Sequence, residues 1–330
     1  MSSFAWGFSL PYQRVARWRR RGNAGWPELP RPSISVGNLA FGGRGKTPLV
    51  AAITQEALSA GLRPAILTRG YGGRVRGPGS PEVLRGASKG PSWLQPISGT
   101  RKTAGEEACW LAATCPGVPV GVGPDRGRSA AKILSTGMAD LFILDDGFQT
   151  ATQRDVDVVL LDSTLDPPFV ARRTPLREGS EALRRASALG IISRKSGPPV
   201  GEHAATKGTP CFGLTRTFHS LRRLVDGSVL GRADWPAEVL VAAAVGQPGS
   251  VEEVLYSMGI HTARTIRLRD HARPTPYQLR RLRSSQVPVV ITEKDAISWG
   301  STSLQEALVL EVFLDGAPAL GRWAIDKLNL

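Results

Sequence analysis

Ala40-Phe41-Gly42-Gly43-Arg44-Gly45-Lys46-Thr47 follows a short apolar run at 33–36 and opens a helix-like segment at 48–60. Strand, glycine loop, Lys-Thr and helix is the order that holds a nucleoside triphosphate. Glycines let backbone N–H groups turn inward on phosphate oxygens, and the helix N-terminus adds partial positive charge. The lysine reaches the β- and γ-phosphates, and the threonine hydroxyl ligates Mg²⁺. Ala40 stands where G-x-x-x-x-G-K-[ST] has its first glycine. The remaining G-G-x-G-K-T, with these flanks, reads as a phosphate loop rather than an ordinary glycine turn.

Outward from this loop, apolar runs alternate with helical patterns. Strands are expected at 65–68, 118–122, 141–144, 156–161 and 189–193, and helices at 106–114, 126–135 and 178–186. Short apolar runs of this kind read as buried parallel strands, and ligands bind at their carboxyl ends. Residues 70–104 carry little periodicity and read as a long surface excursion. Two short strands are expected at 211–215 and 221–225. A second alternating series follows, with strands at 239–245, 262–268, 288–291 and 307–313, helices at 251–258 and 276–284, and a last amphipathic segment at 319–328. The fold class expected is α/β: a phosphate-loop, doubly wound, mostly parallel sheet with a second, smaller α/β lobe. The boundaries read as an aromatic and basic segment at 1–30, a nucleotide-binding domain at 31–211, and a lobe at 212–330 that closes a substrate cleft.

The 330 residues carry a formal net charge of +14, with 21% charged and 41% hydrophobic residues. That composition fits a folded chain and excludes a disordered one. The positive charge suits phosphates or an anionic membrane face. Arginines scatter along the chain and aromatics are 6%, so nucleic acid is not an expected partner. The three cysteines and four histidines show no metal-ligand spacing. No run of 18 apolar residues obliges a bilayer span, and the N-terminus lacks a signal-peptide pattern. Instead Phe4, Trp6, Phe8, Leu10 and Tyr12 precede Arg14, Arg17, Trp18, Arg19, Arg20 and Arg21. Aromatics beside arginines suit a headgroup region and predict peripheral membrane association.

Leu141-Phe142-Ile143-Leu144-Asp145-Asp146-Gly147-Phe148-Gln149 is the second strong motif. An apolar strand ending in acid presents a carboxylate to Mg²⁺ beside a phosphate loop. Adjacent acids at a strand end point apart, so one is expected on the metal and the other on a water or an arginine. Arg69 and Arg74 follow another strand, in Thr68-Arg69-Gly70-Tyr71-Gly72-Gly73-Arg74. Gly123-Pro124-Asp125-Arg126 and Pro175-Leu176-Arg177-Glu178 bring an arginine and an acid to the same edge. Glu106, in Gly105-Glu106-Glu107, is placed to accept a hydroxyl proton in phosphoryl transfer, although a glutamate in a first helical turn also simply favours the helix dipole. Asp270-His271 and Thr292-Glu293-Lys294-Asp295 lie in the second lobe; the latter reads as a site edge or a helix cap.

This ordered set resembles the tetraacyldisaccharide 4′-kinase family of lipid A biosynthesis. The resembling elements are SVGNLAFGGRGKTP, TRGYGGR, GEE, the DR of GPDR, LDDGFQ, PLRE, GQP, DH and TEKD, spread from about residue 33 to 295. The resemblance implies ATP and Mg²⁺ as cofactors and transfer of the γ-phosphate to the 4′-hydroxyl of a tetraacyldisaccharide 1-phosphate. It implies work at the cytoplasmic face of the inner membrane, with no protein partner implied. By residue it implies residues 40–47 on the nucleotide, Lys46 and Thr47 on phosphate and Mg²⁺, and Asp145, Asp146 and Glu178 in the metal network. Glu106 and His271 would form the pair that activates the hydroxyl, with Lys46 also catalytic. Arg69, Arg74, Gln149 and Arg177 would line the substrate side. The family usually has Asp where Glu106 stands, and His where Thr150 stands. The remaining reading is a phosphate-loop GTPase or ATPase acting as a nucleotide switch, for which TEKD superficially resembles a base-selective element.

Overall fold

The apolar runs form strands because helices seal both faces of the sheet they build. The computed structural model describes residues 27–40, 45–71, 73, 81–86, 101–162, 176–193, 208–244, 249–269, 272–300 and 304–330. In chain order the first half holds β1 (Ser33–Asn38), α1 (Lys46–Ser59), β2 (Pro64–Thr68), β3 (Glu82–Leu84), α2 (Glu106–Thr114), β4 (Val120–Val122), α3 (Arg126–Thr136), β5 (Leu141–Asp145), β6 (Val156–Asp162) and β7 (Ala188–Ser193). The second half holds β8 (Cys211–Arg223), β9 (Glu238–Ala243), α4 (Gly249–Ser257), β10 (His261–Arg267), α5 (Pro276–Arg283), β11 (Val289–Thr292), α6 (Glu293–Trp299), β12 (Leu308–Asp315) and α7 (Ala317–Asp326).

The twelve strands among the described residues belong to one sheet, ordered β10-β9-β11-β12-β8-β7-β6-β1-β5-β2-β4-β3. From β8 to β4 every pairing is parallel, and so is every pairing from β12 to β10. β3 adds an antiparallel edge on β4, inside the excursion that sequence periodicity left blank. β1 is buried at all six positions, as a central strand covered on both faces must be. Ile34 and Val36 are fully buried, each worth about 1.5–3 kcal/mol relative to exposure.

The join between the halves is the antiparallel pair β8–β12. Two short strands were expected there, at 211–215 and 221–225; the structure has one long strand with two partners. Its start pairs parallel with β7, Leu189 to Ser193 opposite Cys211 to Thr215. The rest pairs with β12, from Asp315 opposite Thr215 to Leu308 opposite Arg223. Residues 216–220, polar enough to read as a break, continue the ladder because β12 supplies their partners.

This register positions the site. Thr292, at the carboxyl end of β11, pairs with Leu310, which lies opposite Leu221. The second half therefore begins beyond the carboxyl edge of the first half and runs back toward it. From Thr215 to Leu221 is roughly 20 Å of strand at about 3.3 Å per residue. The carboxyl edges of the two halves thus face each other across a cleft floored by the middle of β8.

A second difference concerns 178–186, expected as a helix. Only a 3₁₀ segment, Ser180–Arg185, forms there. Ser187 already donates its backbone N–H to Asp157 at 2.7 Å, and β7 begins at Ala188, so no room remains for further turns.

Two glycine motifs do backbone work. Gly105 has φ +87°, and a Cβ there would lie 2.5 Å from the Tyr71 carbonyl oxygen. Gly70 has φ +72°, and its Cβ would lie 2.8 Å from the Ala104 carbonyl oxygen. Gly70-Tyr71 and Ala104-Gly105 are therefore packed backbone to backbone, which at both glycines only a residue without a Cβ allows.

Candidate active site

β1 ends at Asn38, just before the loop sequence, and α1 begins at Lys46, just after it. Gly45 caps that helix in the left-handed region, at φ 84°, ψ 9°. Ala40, in the place of the first glycine, is 5% exposed and makes an isolated antiparallel bridge with Leu176. Arg177 N–H donates to the Leu39 carbonyl oxygen at 2.7 Å. PLRE is thereby stitched to the start of the loop. Lys46, 7% exposed, lies 3.4 Å from the Asp146 carboxylate. Thr47 follows in the first turn of α1, half-buried. Phe41, Gly42, Gly43, Arg44, Arg74 and His271 lie outside the described residues.

The paired aspartates diverge, as adjacent acids at a strand end must. Asp145 closes β5 and is 1% exposed, and its Oδ1 has no hydrogen-bond partner among the described residues. Burial first, then the Glu107 and Asp146 carboxylates, push its carboxyl up to about 7, against the pull of Lys46 and Arg126. Asp146 takes a left-handed backbone, at φ 55°. That twist turns its side chain to Arg177 Nη1, 2.6 Å away, as well as to Lys46. Burial acts to raise its carboxyl, but Lys46 and Arg177 outweigh it and hold it below the ordinary range.

Asp145 fits a divalent cation. A buried carboxylate oxygen without a partner, close to two further acids, is relieved either by a proton, as its raised pKa shows, or by a cation. Among the described residues no three acidic, His or Cys side chains form a metal-holding group. Mg²⁺ is typically held by one or two carboxylates plus phosphates and waters, so such a group is not needed.

The two glutamates of GEE also diverge. Neighbours at the start of a helix point about 100° apart. Glu107 acts electrostatically on Asp145 and lies 3.5 Å from Lys294 Nζ. Glu106 acts on Asp295, whose carboxyl is raised to about 6, chiefly by burial. Asp295 accepts from Ala244 N–H at 3.2 Å and from the Thr292 hydroxyl at 2.7 Å, while Thr292 caps α6. TEKD is thus a helix cap whose lysine crosses the cleft to the first half.

Arg126 is buried behind the aspartates. It donates to the Gly123 carbonyl oxygen at 2.5 Å and to that of Asp145 at 3.4 Å. Burial lowers its guanidinium to about 10, while Asp145 and Asp146 oppose the shift and the exposed Arg69 adds to it. Asp125, its neighbour in GPDR, caps α3 by accepting from Arg128 N–H at 3.0 Å.

Other expected site residues sit one step back. Gln149 donates to the Asn38 carbonyl oxygen at 2.9 Å, and its own oxygen lies 3.5 Å from Arg177 Nη1. It ties the DDG turn to the end of β1. Glu178 is 2% exposed and paired with Arg185 at 2.6 Å, and Arg185 lies over the Phe148 ring at 4.4 Å. The structure therefore gathers Lys46, Asp145, Asp146 and Arg177, holds Gln149 and Glu178 behind them, and sets Glu106 toward the second half.

Sequence reasoning missed Glu107, Lys294 and Arg185 as members of this network. Glu107 was visible as half of GEE, but only the helix phase tells which half faces Asp145. Lys294 is set by the chain reversal at β8, which no local pattern encodes. A cavity of about 510 Å³ opens on the cleft between α1, α2 and β12, lined by Pro48, Ala52, Trp110, His219, Glu293 and Phe313 among others.

The profile of the tetraacyldisaccharide-1-P 4′-kinase family matches residues 1–328. The chain is 34% identical over 294 residues to the tetraacyldisaccharide 4′-kinase of Syntrophus aciditrophicus, covering 82% of this chain and 75% of that one. It is 30% identical over 272 residues to that of Haemophilus influenzae, covering 81% and 74%. Among solved structures it is similar to LpxK from Aquifex aeolicus in complex with ATP, with TM-score 0.72, 25% identity and 99% of each chain covered.

Proposed function

This chain belongs to the tetraacyldisaccharide-1-P 4′-kinase family, so it is an ATP-dependent kinase of lipid A biosynthesis, and we propose the following division of labour in its site. The phosphate loop and Lys46 hold the β- and γ-phosphates of ATP. Asp145 and Glu107 face the metal position, and Thr47 adds its hydroxyl. Mg²⁺, when bound, neutralises charge on the β- and γ-oxygens as the phosphoryl group moves. Asp146, held by Lys46 and Arg177, keeps the lysine aimed at the loop and takes no proton. Arg69, Arg74 and Arg177 counter the charge of donor and acceptor. Glu178 orders PLRE through Arg185 and lends negative charge to the metal side. Residues 31–211 act as the donor half and 212–330 as the lobe that closes on the acceptor.

Glu106, with His271, accepts the 4′-hydroxyl proton. Its support is position: it opens α2 at the cleft beside the second lobe, one residue from the glutamate that touches the metal side. Glu106→Gln is expected to lower kcat by about 10²-fold or more with ATP affinity nearly unchanged. Steady-state kinetics beside a nucleotide titration checks this, and an unchanged kcat refutes the role.

The observation that carries the reading is the contact of Lys46 with Asp146 beside the unpartnered Asp145 oxygen, at the carboxyl edge facing the second half. Its test is ADP release measured with and without the tetraacyldisaccharide 1-phosphate. Release that depends on the lipid is expected. Equal release without lipid would mean a nucleotide switch, a reading the helix-cap role of TEKD already disfavours.

No helix among the described residues is long and apolar enough to cross a membrane. The aromatic and arginine-rich segment at 1–21 supports peripheral attachment at the cytoplasmic face of the inner membrane, where an anionic lipid meets a basic protein. Deleting residues 1–21 should weaken sedimentation with anionic vesicles, and unaltered sedimentation would count against the attachment.

A further inference from the structure

β8 leaves the carboxyl edge of β7 at Thr215, and its next residue is Arg216. Arg216 lies directly opposite Leu314 across the β8–β12 pair, so both side chains leave the same face of the sheet. On that face they meet the phosphate loop. The atoms nearest to where a Cβ on Gly45 would stand are Ile192 Cδ1 at 2.8 Å, Leu314 Cδ1 at 3.6 Å and Arg216 Nη2 at 3.9 Å. The last glycine of the loop therefore abuts a small wall of two aliphatic side chains and one guanidinium. Two of the three come from the antiparallel seam rather than from the nucleotide-binding half.

The direction of the nucleotide follows from the metal side. Asp145 ends β5, on one side of β1, whereas β6, β7 and β8 lie on the other. Asp145 would hold the metal that accompanies the β- and γ-phosphates, which would set the γ end toward β5. A nucleotide set that way would carry its α-phosphate and nucleoside past Gly45 toward β7 and β8. Arg216 stands at that end, half-buried at the cleft floor.

Resting on the kinase reading, we propose that Arg216 is a nucleotide-binding residue whose guanidinium contacts the α-phosphate of ATP, with Ile192 and Leu314 as the apolar wall beside the ribose. A planar, permanently charged fork of donors suits a phosphate oxygen there. The contact also gives the second half a direct hold on the donor, because Arg216 and Leu314 sit on the strand pair that joins the halves.

The test is nucleotide binding by the full chain, read by fluorescence titration and by the rise in Tm that each nucleotide causes. The ligands are ATP, ADP and adenosine, and the variants are Arg216→Ala, Arg216→Lys and Leu314→Ala. Arg216→Ala should weaken ATP and ADP by the same factor, about tenfold or more, and leave adenosine unchanged. Arg216→Lys should recover part of the loss. Leu314→Ala should weaken all three. A loss confined to ATP would overturn the proposal, since it would place the guanidinium at the γ-phosphate. Wild-type affinity for ATP and ADP in Arg216→Ala would overturn it as well. A fall in the ligand-free Tm with unchanged nucleotide affinity would mean a purely structural arginine. Failure of the wild-type chain to bind ATP would sink the kinase reading itself, which is a separate outcome.

Discussion

Lys46→Ala is expected to abolish transfer while the chain stays folded. Lys46 is 7% exposed and its described partner is Asp146, which keeps Arg177 at 2.6 Å when the lysine is lost. Among the described residues the printed pair with Asp146 is lost, while Arg177 still compensates that carboxylate. Transfer loses the cation aimed at the β- and γ-phosphates, a pre-positioned charge whose value is greatest where water is excluded. We expect kcat/KM to fall by about 10³-fold or more and the ligand-free Tm to stay within a few degrees. Kinetics and thermal melts on one preparation check both halves. Turnover near the wild-type rate would remove the phosphate loop from the mechanism.

Asp145→Asn should separate activity from stability. The wild-type carboxyl is raised to about 7 from an ordinary 3.8, chiefly by burial. An acid raised in the folded state binds its proton more tightly there than in the unfolded chain. Its ionisation therefore costs folded stability, and the cost grows as pH rises from about 4 through 7. Asn has the shape of the protonated acid and no such cost. Without nucleotide or Mg²⁺, the variant should melt higher than wild type at pH 8, with the gap closing toward pH 4. Transfer should be lost at every pH, because a carboxamide cannot neutralise a divalent cation. A variant that melts lower at pH 8, or one that retains transfer, contradicts the placement of Asp145.

The parts of this site that the sequence made legible are those where one segment carries the whole signal. Residues 33–60 read as strand, loop and helix because period, glycines and Lys-Thr are contiguous, and β1 and α1 follow that reading. The apolar strand that ends in Asp145 was legible for the same reason. What stayed hidden depends on partners distant in the chain. The strand from Cys211 to Arg223 changes partner midway, from β7 to β12, and reads locally as two fragments. The reversal it creates brings Lys294 to Glu107, and neither residue announces the other. The pairing of Glu178 with Arg185 was hidden as well, because Arg185 comes from a segment that forms only a 3₁₀ turn.

The account stands or falls on where the phosphate goes. Phosphorus NMR of the product, correlated to the sugar protons, should show one new monoester at the 4′ carbon of the tetraacyldisaccharide 1-phosphate. One ADP should appear per monoester. A new ester at any other oxygen, or release of inorganic phosphate with the lipid unchanged, would contradict it.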